Sequence, residues 1–406
     1  MIISNSIKLI RRRDAVFLVR KIKICMVIML LALSGCGLDA FSLNKDDQAK
    51  VAKEEEVHFK IGAALGIEGM VQDNTFNGIA WEGVLQYLNR YPKVKTQQMI
   101  PKNDEEKEID RIIDELLLVK SDIILGFGGH YVDAFEKYAV QNPEVKFVIL
   151  DGKAEESLPN LLSIEFEDQQ SSFLAGIAGA LNTKTGKIGF LGGEKNESIM
   201  RHQQGFKAGI GYANHFFQTQ ARLEKSDFTE DFSNIQKGKK LAKGMYKEDI
   251  DVVFSCGGSS TLGMMDEAKA LLDQGKKIWM IGVDNDMYEF GKIINNKSVI
   301  LTSAMKNLDI VIYEVLEDYA RNRFAGGEYH RRNLNDYGVG LPLENKNFDD
   351  KTKKLMEEVT QLLQSGELVI PFEEEELKKF AESFFMEPNA PKEEETGEKP
   401  QTHPKI

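Results

Sequence analysis

Asp73-Asn74-Thr75-Phe76-Asn77 gathers a carboxylate, an aromatic face and an amide within five residues. The stretch follows the β-rich run 57–65 and precedes Ile79, Ala80, Trp81, Val84, Leu85 and Leu88, which share one helical face. Asp, Asn and Thr at such a junction cap a helix. At the carboxyl edge of a sheet, the same residues also present a ring and polar groups to a small molecule. Other chemistries lack their parts. The six histidines contain no H-E-x-x-H and the three cysteines no paired zinc spacing, so no metal or cofactor is expected. Gly257-Gly258-Ser259-Ser260-Thr261-Leu262-Gly263 lacks the order of a hydrolase elbow, and Thr185-Gly186-Lys187 is no P-loop. No nucleophile has an evident base, and the chain reads as a binding protein, not an enzyme.

The elements that must position these residues alternate. Ile109, Ile112, Ile113, Leu116 and Leu117 form a helical face before the strand 123–125; Phe147-Val148-Ile149-Leu150 is a buried strand closed by Asp151. The rhythm restarts at Lys187-Ile188-Gly189-Phe190-Leu191. It continues through a helix near 197–215, a strand at 251–255, a helix at 261–273 and a strand at 278–283. Two such β-α series of about equal size imply α/β architecture with two doubly wound Rossmann-like lobes.

The chain has 406 residues, enough for two lobes, and a formal charge of −12. Seven basic residues and one acidic residue precede Cys36, so the remainder stands at −18. A body that acidic argues against nucleic acid as a partner. The basic residues lead into an apolar run at 24–33, the layout of a secretory signal. The run ends in Leu33-Ser34-Gly35-Cys36, which resembles the lipobox of bacterial lipoproteins, with Cys36 as the lipidated thiol. Only Cys256 would remain free, so no disulfide is expected.

Several ordered stretches resemble one family. Asp73-Asn74-Thr75-Phe76-Asn77 with Ala80-Trp81-Glu82-Gly83 matches a D-x-S-F-N…A-W-E-G opening. The stretch from Asn142 to Asp151 follows, then Ser172-Phe173-Leu174-Ala175-Gly176 and the stretch from Gly186 to Gly193. Ile281-Gly282-Val283-Asp284 and Leu301-Thr302-Ser303-Ala304-Met305-Lys306 complete the set. From about residue 57 to 345 the chain resembles the basic membrane protein family of bacterial ABC-transporter substrate-binding lipoproteins, several of which bind purine nucleosides.

That resemblance implies the type I periplasmic-binding-protein fold, its two lobes joined by a hinge, and a site between them. Phe76 would stack on the base, with Asp73 and Asn77 at its edge, and a second ring would come from Phe228 or Phe232. Asp151 and Asp284, each ending a core strand, would accept the paired ribose hydroxyls. Lys306 would supply a cation and Gly257 close backbone approach. In place of the family's G-x-G-F stands Gly126-Phe127-Gly128-Gly129-His130-Tyr131, so the pocket is expected to differ on that side.

The expected organisation is a signal peptide at 1–35 and a polar tether at 36–56. The N-terminal lobe takes 57–165 plus 303–328, the C-terminal lobe 166–302 plus 329–387, and a disordered acidic tail 388–406. The expected function is capture of a nucleoside, purine favoured, by a monomeric protein held to the outer face of the cell membrane by lipid, for delivery to an ABC permease. The rival readings are a regulatory or sensory surface lipoprotein of the same fold and a nucleoside-cleaving enzyme.

Overall fold

The computed structural model describes residues 57–66 and 76–385. Cys36, the signal, the tether, Asp73 and the tail beyond 387 lie outside them.

Two six-stranded sheets repeat one plan. The first contains β1 (Lys60–Ala64), β2 (Lys95–Met99), β3 (Ile123–Phe127), β4 (Lys146–Leu150), β5 (Leu161–Phe166) and β11 (Tyr329–Arg332), in the order β11-β5-β4-β3-β1-β2. The second contains β6 (Lys187–Gly192), β7 (Arg222–Phe228), β8 (Val252–Cys256), β9 (Trp279–Asp284), β10 (Ile300–Lys306) and β12 (Val339–Gly340), in the order β12-β10-β9-β8-β6-β7. Every pairing is parallel except that of β10 with β12.

Helices cover both faces of each sheet, which is why β3 and β8 are buried at every position and read as unbroken apolar runs rather than alternations. Over the first sheet, α1 (Phe76–Arg90) packs with α8 (Leu308–Ala320) on one side. The other side carries α2 (Glu106–Leu118) and α3 (Val132–Gln141). Over the second, α4 (Asp168–Asn182) and α5 (Glu197–Phe217) lie on one face, joined by α9 (Asp350–Ser365) and α10 (Glu374–Ser383). The opposite face carries α6 (Ile235–Lys247) and α7 (Ser260–Asp273). The α4–α5 contact is close enough that a Cβ on Gly209 would stand 2.0 Å from the Phe173 carbonyl oxygen, so only glycine fits there.

The chain crosses between the sheets three times: from β5 into α4, from β10 into α8, and from β11 toward β12. The crossings differ in detail from the expected boundaries. Residues 303–306 complete β10 of the second sheet, and Tyr329–Arg332 pair with Ser163–Phe166 of the first. The short polar strand Tyr-His-Arg-Arg carries no apolar alternation, so its place is set by backbone pairing with β5 and not by side-chain pattern.

Candidate functional site

The carboxyl ends of both sheets meet at these crossings, and a compact ionic cluster sits there. Lys306, the last residue of β10, is 1% exposed. Its Nζ donates to both carboxylate oxygens of Asp151, at 3.0 and 2.9 Å, and to Ser198 Oγ at 3.2 Å. It also pairs with Asp168 Oδ1 at 3.1 Å. The ammonium lies 5.7 Å from the centroid of the Phe76 ring and 5.2 Å from that of Phe166. Burial opposes the charge on Lys306, but Asp151, Asp168 and Asp284 more than offset it and hold its pKa above the ordinary lysine range.

Asp151 and Asp284 hold matching places at the ends of β4 and β9, and both have left-handed backbone, φ +65° and +63°. Aspartate tolerates that conformation better than most residues, but it is sparsely populated and concentrates where geometry serves a site. Burial pushes the Asp284 carboxyl up to about 7; Lys306 opposes the shift, while Asp168 and Asp151 add to it.

The remaining expected residues divide. Phe76 opens α1 half-buried beside Lys306. Asn77 is 1% exposed, and its amide clasps the backbone of Gly66 in both directions, accepting from the N–H and donating to the carbonyl at 2.8 Å each. Its described bonds therefore fix Gly66, two residues past the end of β1, a role that an N-terminal helix position did not announce. Phe232 lies over the carboxyl ends of β6 and β8: a Cβ on Gly193 would meet its ring at 2.2 Å, and one on Gly258 its Cβ at 2.8 Å. Phe228 ends the edge strand β7, packs 6.0 Å from Phe190 and is covered by the Lys195 ammonium at 4.8 Å. Gly257 has room for a Cβ among the protein's own atoms, with nothing nearer than 3.5 Å. Cys256 is 1% exposed, and burial pushes its thiol well up, so it is an inert core residue. On the side where the glycine pattern departs, Tyr131 is fully buried and donates its hydroxyl to the Leu65 carbonyl at 2.6 Å, which ties it to the end of β1.

Four residues of the cluster went unread in the sequence. Asp168 begins α4 with no exposure and accepts a hydrogen bond from Ser198 at 2.7 Å. Burial alone would raise its carboxyl, yet Lys306, His202, Arg201 and the Ser198 bond together hold it below its usual range. Arg201 reaches Glu165 at 3.0 Å and approaches Asp168 at 4.0 Å. His202 is kept neutral by burial, which drives its pKa down to about 4. Ser172 Oγ lies 2.6 Å from His202 Nδ1, and His202 Nε2 lies 3.6 Å from Asp168 Oδ1. The types are those of a nucleophilic triad; Ser172 is fully buried and His202 is 2% exposed, and the contact between them stitches α4 to α5. Among the described residues, no cluster of histidine, cysteine and carboxylates could hold a metal ion.

Two doubly wound domains with three crossings and convergent strand ends define a type I periplasmic-binding-protein fold, whose sites lie between the lobes. A solute-binding protein of an ABC transporter system from Aeropyrum pernix K1 has this fold, at TM-score 0.70 and 21% identity over 80% of this chain and 99% of that one. The chain belongs to the Bmp family, described as "ABC transporter substrate-binding protein PnrA-like", which matches residues 60–374. Within it, the ABC transporter nucleoside-binding protein BmpA of Lactococcus lactis is 32% identical over 69% of this chain and 81% of its own. The CD4+ T-cell-stimulating antigen of Listeria monocytogenes is 29% identical over 87% of this chain and 99% of its own.

Proposed function

We propose that this chain captures a nucleoside, purine favoured, between its lobes and hands it to an ABC permease. The observation that carries the reading is the pair of strand-end carboxylates, Asp151 and Asp284, gathered with the Lys306 ammonium beside the Phe76 ring. Vicinal hydroxyls are paired donors that suit such carboxylates, and the ammonium supplies a donor for a hydroxyl or ring oxygen. Phe76 takes one face of the base. For the second face we choose Phe232 over Phe228, because Phe232 lies across the carboxyl ends of the central strands while Phe228 is occupied at the sheet edge by Phe190 and Lys195. Asp73 remains the proposed partner for the base edge. Asn77 serves the site indirectly, by fixing the Gly66 loop.

The same proposal includes the anchor: Cys36 carries lipid, and a monomer is held at the outer face of the membrane. None of the described helices is long and apolar enough to cross one.

A thermal-shift screen of nucleosides, free bases, sugars and amino acids tests the ligand class. A ligand at a hundred times its dissociation constant stabilises the folded state by about 2.7 kcal/mol. Nucleosides are expected to give the upward shift. A shift with sugars or amino acids alone would overturn the nucleoside assignment while leaving the family untouched.

A further inference from the structure

The partners of Lys306 come from two different bodies, and that division assigns them different tasks. Asp151 belongs to the end of β4 in the first sheet. Asp168 and Ser198 belong to α4 and α5, which pack on the second sheet, and Lys306 ends β10 of that sheet. A rigid-body parting of the lobes would therefore draw Lys306 away from Asp151 while leaving Asp168 and Ser198 on its own side. Those two residues also bond each other. Ser198 Oγ donates to Asp168 Oδ2 at 2.7 Å and accepts from Lys306 Nζ at 3.2 Å, while Lys306 stands 3.1 Å from Asp168 Oδ1. The three side chains close a triangle.

Asp168 is fully buried and Lys306 is 1% exposed. Asp168 Oδ1 has no hydrogen-bond donor of its own and meets only charge, from Lys306 and, at 3.6 Å, from the His202 ring when that ring is protonated. Arg201 approaches only Oδ2, at 4.0 Å, so withdrawing the ammonium would leave Oδ1 at that depth facing only the His202 ring, and this penalty favours keeping Lys306 on Asp168 as the lobes move. Free to rotate about four bonds, a lysine would otherwise lose its place whenever Asp151 withdrew.

We infer that Asp168 and Ser198 are positioning residues that keep the Lys306 ammonium aimed into the cleft when the lobes part, so that a ligand meets a donor already in place. This rests on the nucleoside reading for its ligand but not for its geometry. Sequence signals for the pair are slight, since both lie in the first turns of helices where Asp and Ser read as ordinary caps.

The test follows Lys306 in the ligand-free chain by pulsed acetylation and peptide mass spectrometry, and in parallel measures the affinity for inosine. Asp168→Asn keeps the shape and removes the charge; Ser198→Ala removes one side of the triangle. Ser172→Ala serves as the structural control, because it breaks a buried bond to His202 in the same helix pair without touching the triangle. The expected result is at least tenfold faster acetylation of Lys306 and at least tenfold weaker inosine binding in Asp168→Asn. Ser198→Ala should move both in the same direction by less, and Ser172→Ala should match the wild type in both. Equal protection of Lys306 in Asp168→Asn, Ser198→Ala and Ser172→Ala overturns the inference. If the wild type ignores inosine, the nucleoside reading fails, and the acetylation rates alone decide the positioning role.

Discussion

Asp151 and Asp284 are structural counterparts: each closes the strand third from the β11 or β12 edge of its sheet, and each has left-handed backbone, φ +65° and +63°. The fold's internal repetition thus delivers two carboxylates, one from each lobe, to the surroundings of the same Lys306 ammonium. Their environments differ. Asp151 is held directly by the Lys306 ammonium at 2.9 Å, while burial leaves Asp284 with a carboxyl pushed up to about 7.

Asp284 should therefore cost the empty protein stability. A buried carboxyl whose pKa rises on folding takes up a proton in the native state, so its contribution is most favourable below the unfolded value near 4. It is lost progressively as pH rises through about 7. Asp284→Asn should raise the unfolding midpoint of the ligand-free chain, by an amount that grows between pH 4 and pH 8 and reaches on the order of a few kcal/mol. The difference between variant and wild type is the quantity to measure, because His202, with its pKa driven down to about 4, contributes the opposite slope over part of that range. A difference independent of pH would show that Asp284 is already charged in the folded chain.

The same titration reaches the ligand. Only the ionised carboxylate of Asp284 accepts two hydroxyl donors, so inosine affinity should rise between pH 6 and pH 8 and level off above it, with proton release measurable in buffers of different ionisation enthalpy. Asp284→Asn should bind weakly at every pH. A flat profile in the wild type would remove Asp284 from the list of ligand acceptors.

Stacking separates the two candidate aromatics. Phe76→Ala and Phe232→Ala should each weaken inosine binding by about 1–3 kcal/mol, the usual worth of one base–ring stack. Phe228→Ala should leave affinity near wild type and lower the unfolding midpoint through lost packing on Phe190. An affinity loss confined to Phe228→Ala would reverse the assignment.

Asn77→Ala tests the loop clasp. Removing it strands the N–H and carbonyl of Gly66 in a buried setting, which costs about 1–3 kcal/mol for each unsatisfied group. The unfolding midpoint should fall, and the lost affinity should be partly recovered by lowering the temperature. Loss of affinity with unchanged stability would return Asn77 to the base edge.

Much of the fold was legible because buried parallel strands are unbroken apolar runs; β3, β4, β8 and β9 fall within a residue or two of where their runs lie. The ends of those runs disclosed Asp151 and Asp284. Strands without an apolar pattern were harder: β11 is Tyr-His-Arg-Arg, and only its pairing with β5 reveals it. The second half of the cluster was illegible for a different reason. Asp168, Ser198, Arg201 and His202 lie in the first turns of α4 and α5, and the winding of the second lobe brings them to Lys306 across more than a hundred residues of sequence in each case. Asn77 was visible as a polar residue at a strand-to-helix junction, but no residue pattern announces its engagement with the backbone of Gly66.

The central claim is that one cleft holds a base and a ribose together, between aromatic rings and strand-end carboxylates. Isothermal titration of the soluble chain with inosine, hypoxanthine and ribose in turn tests it most directly. The account predicts a single site for inosine, with each half of the molecule at least a hundredfold weaker. Ribose or hypoxanthine binding as tightly as inosine, or no heat from any of the three, would contradict it.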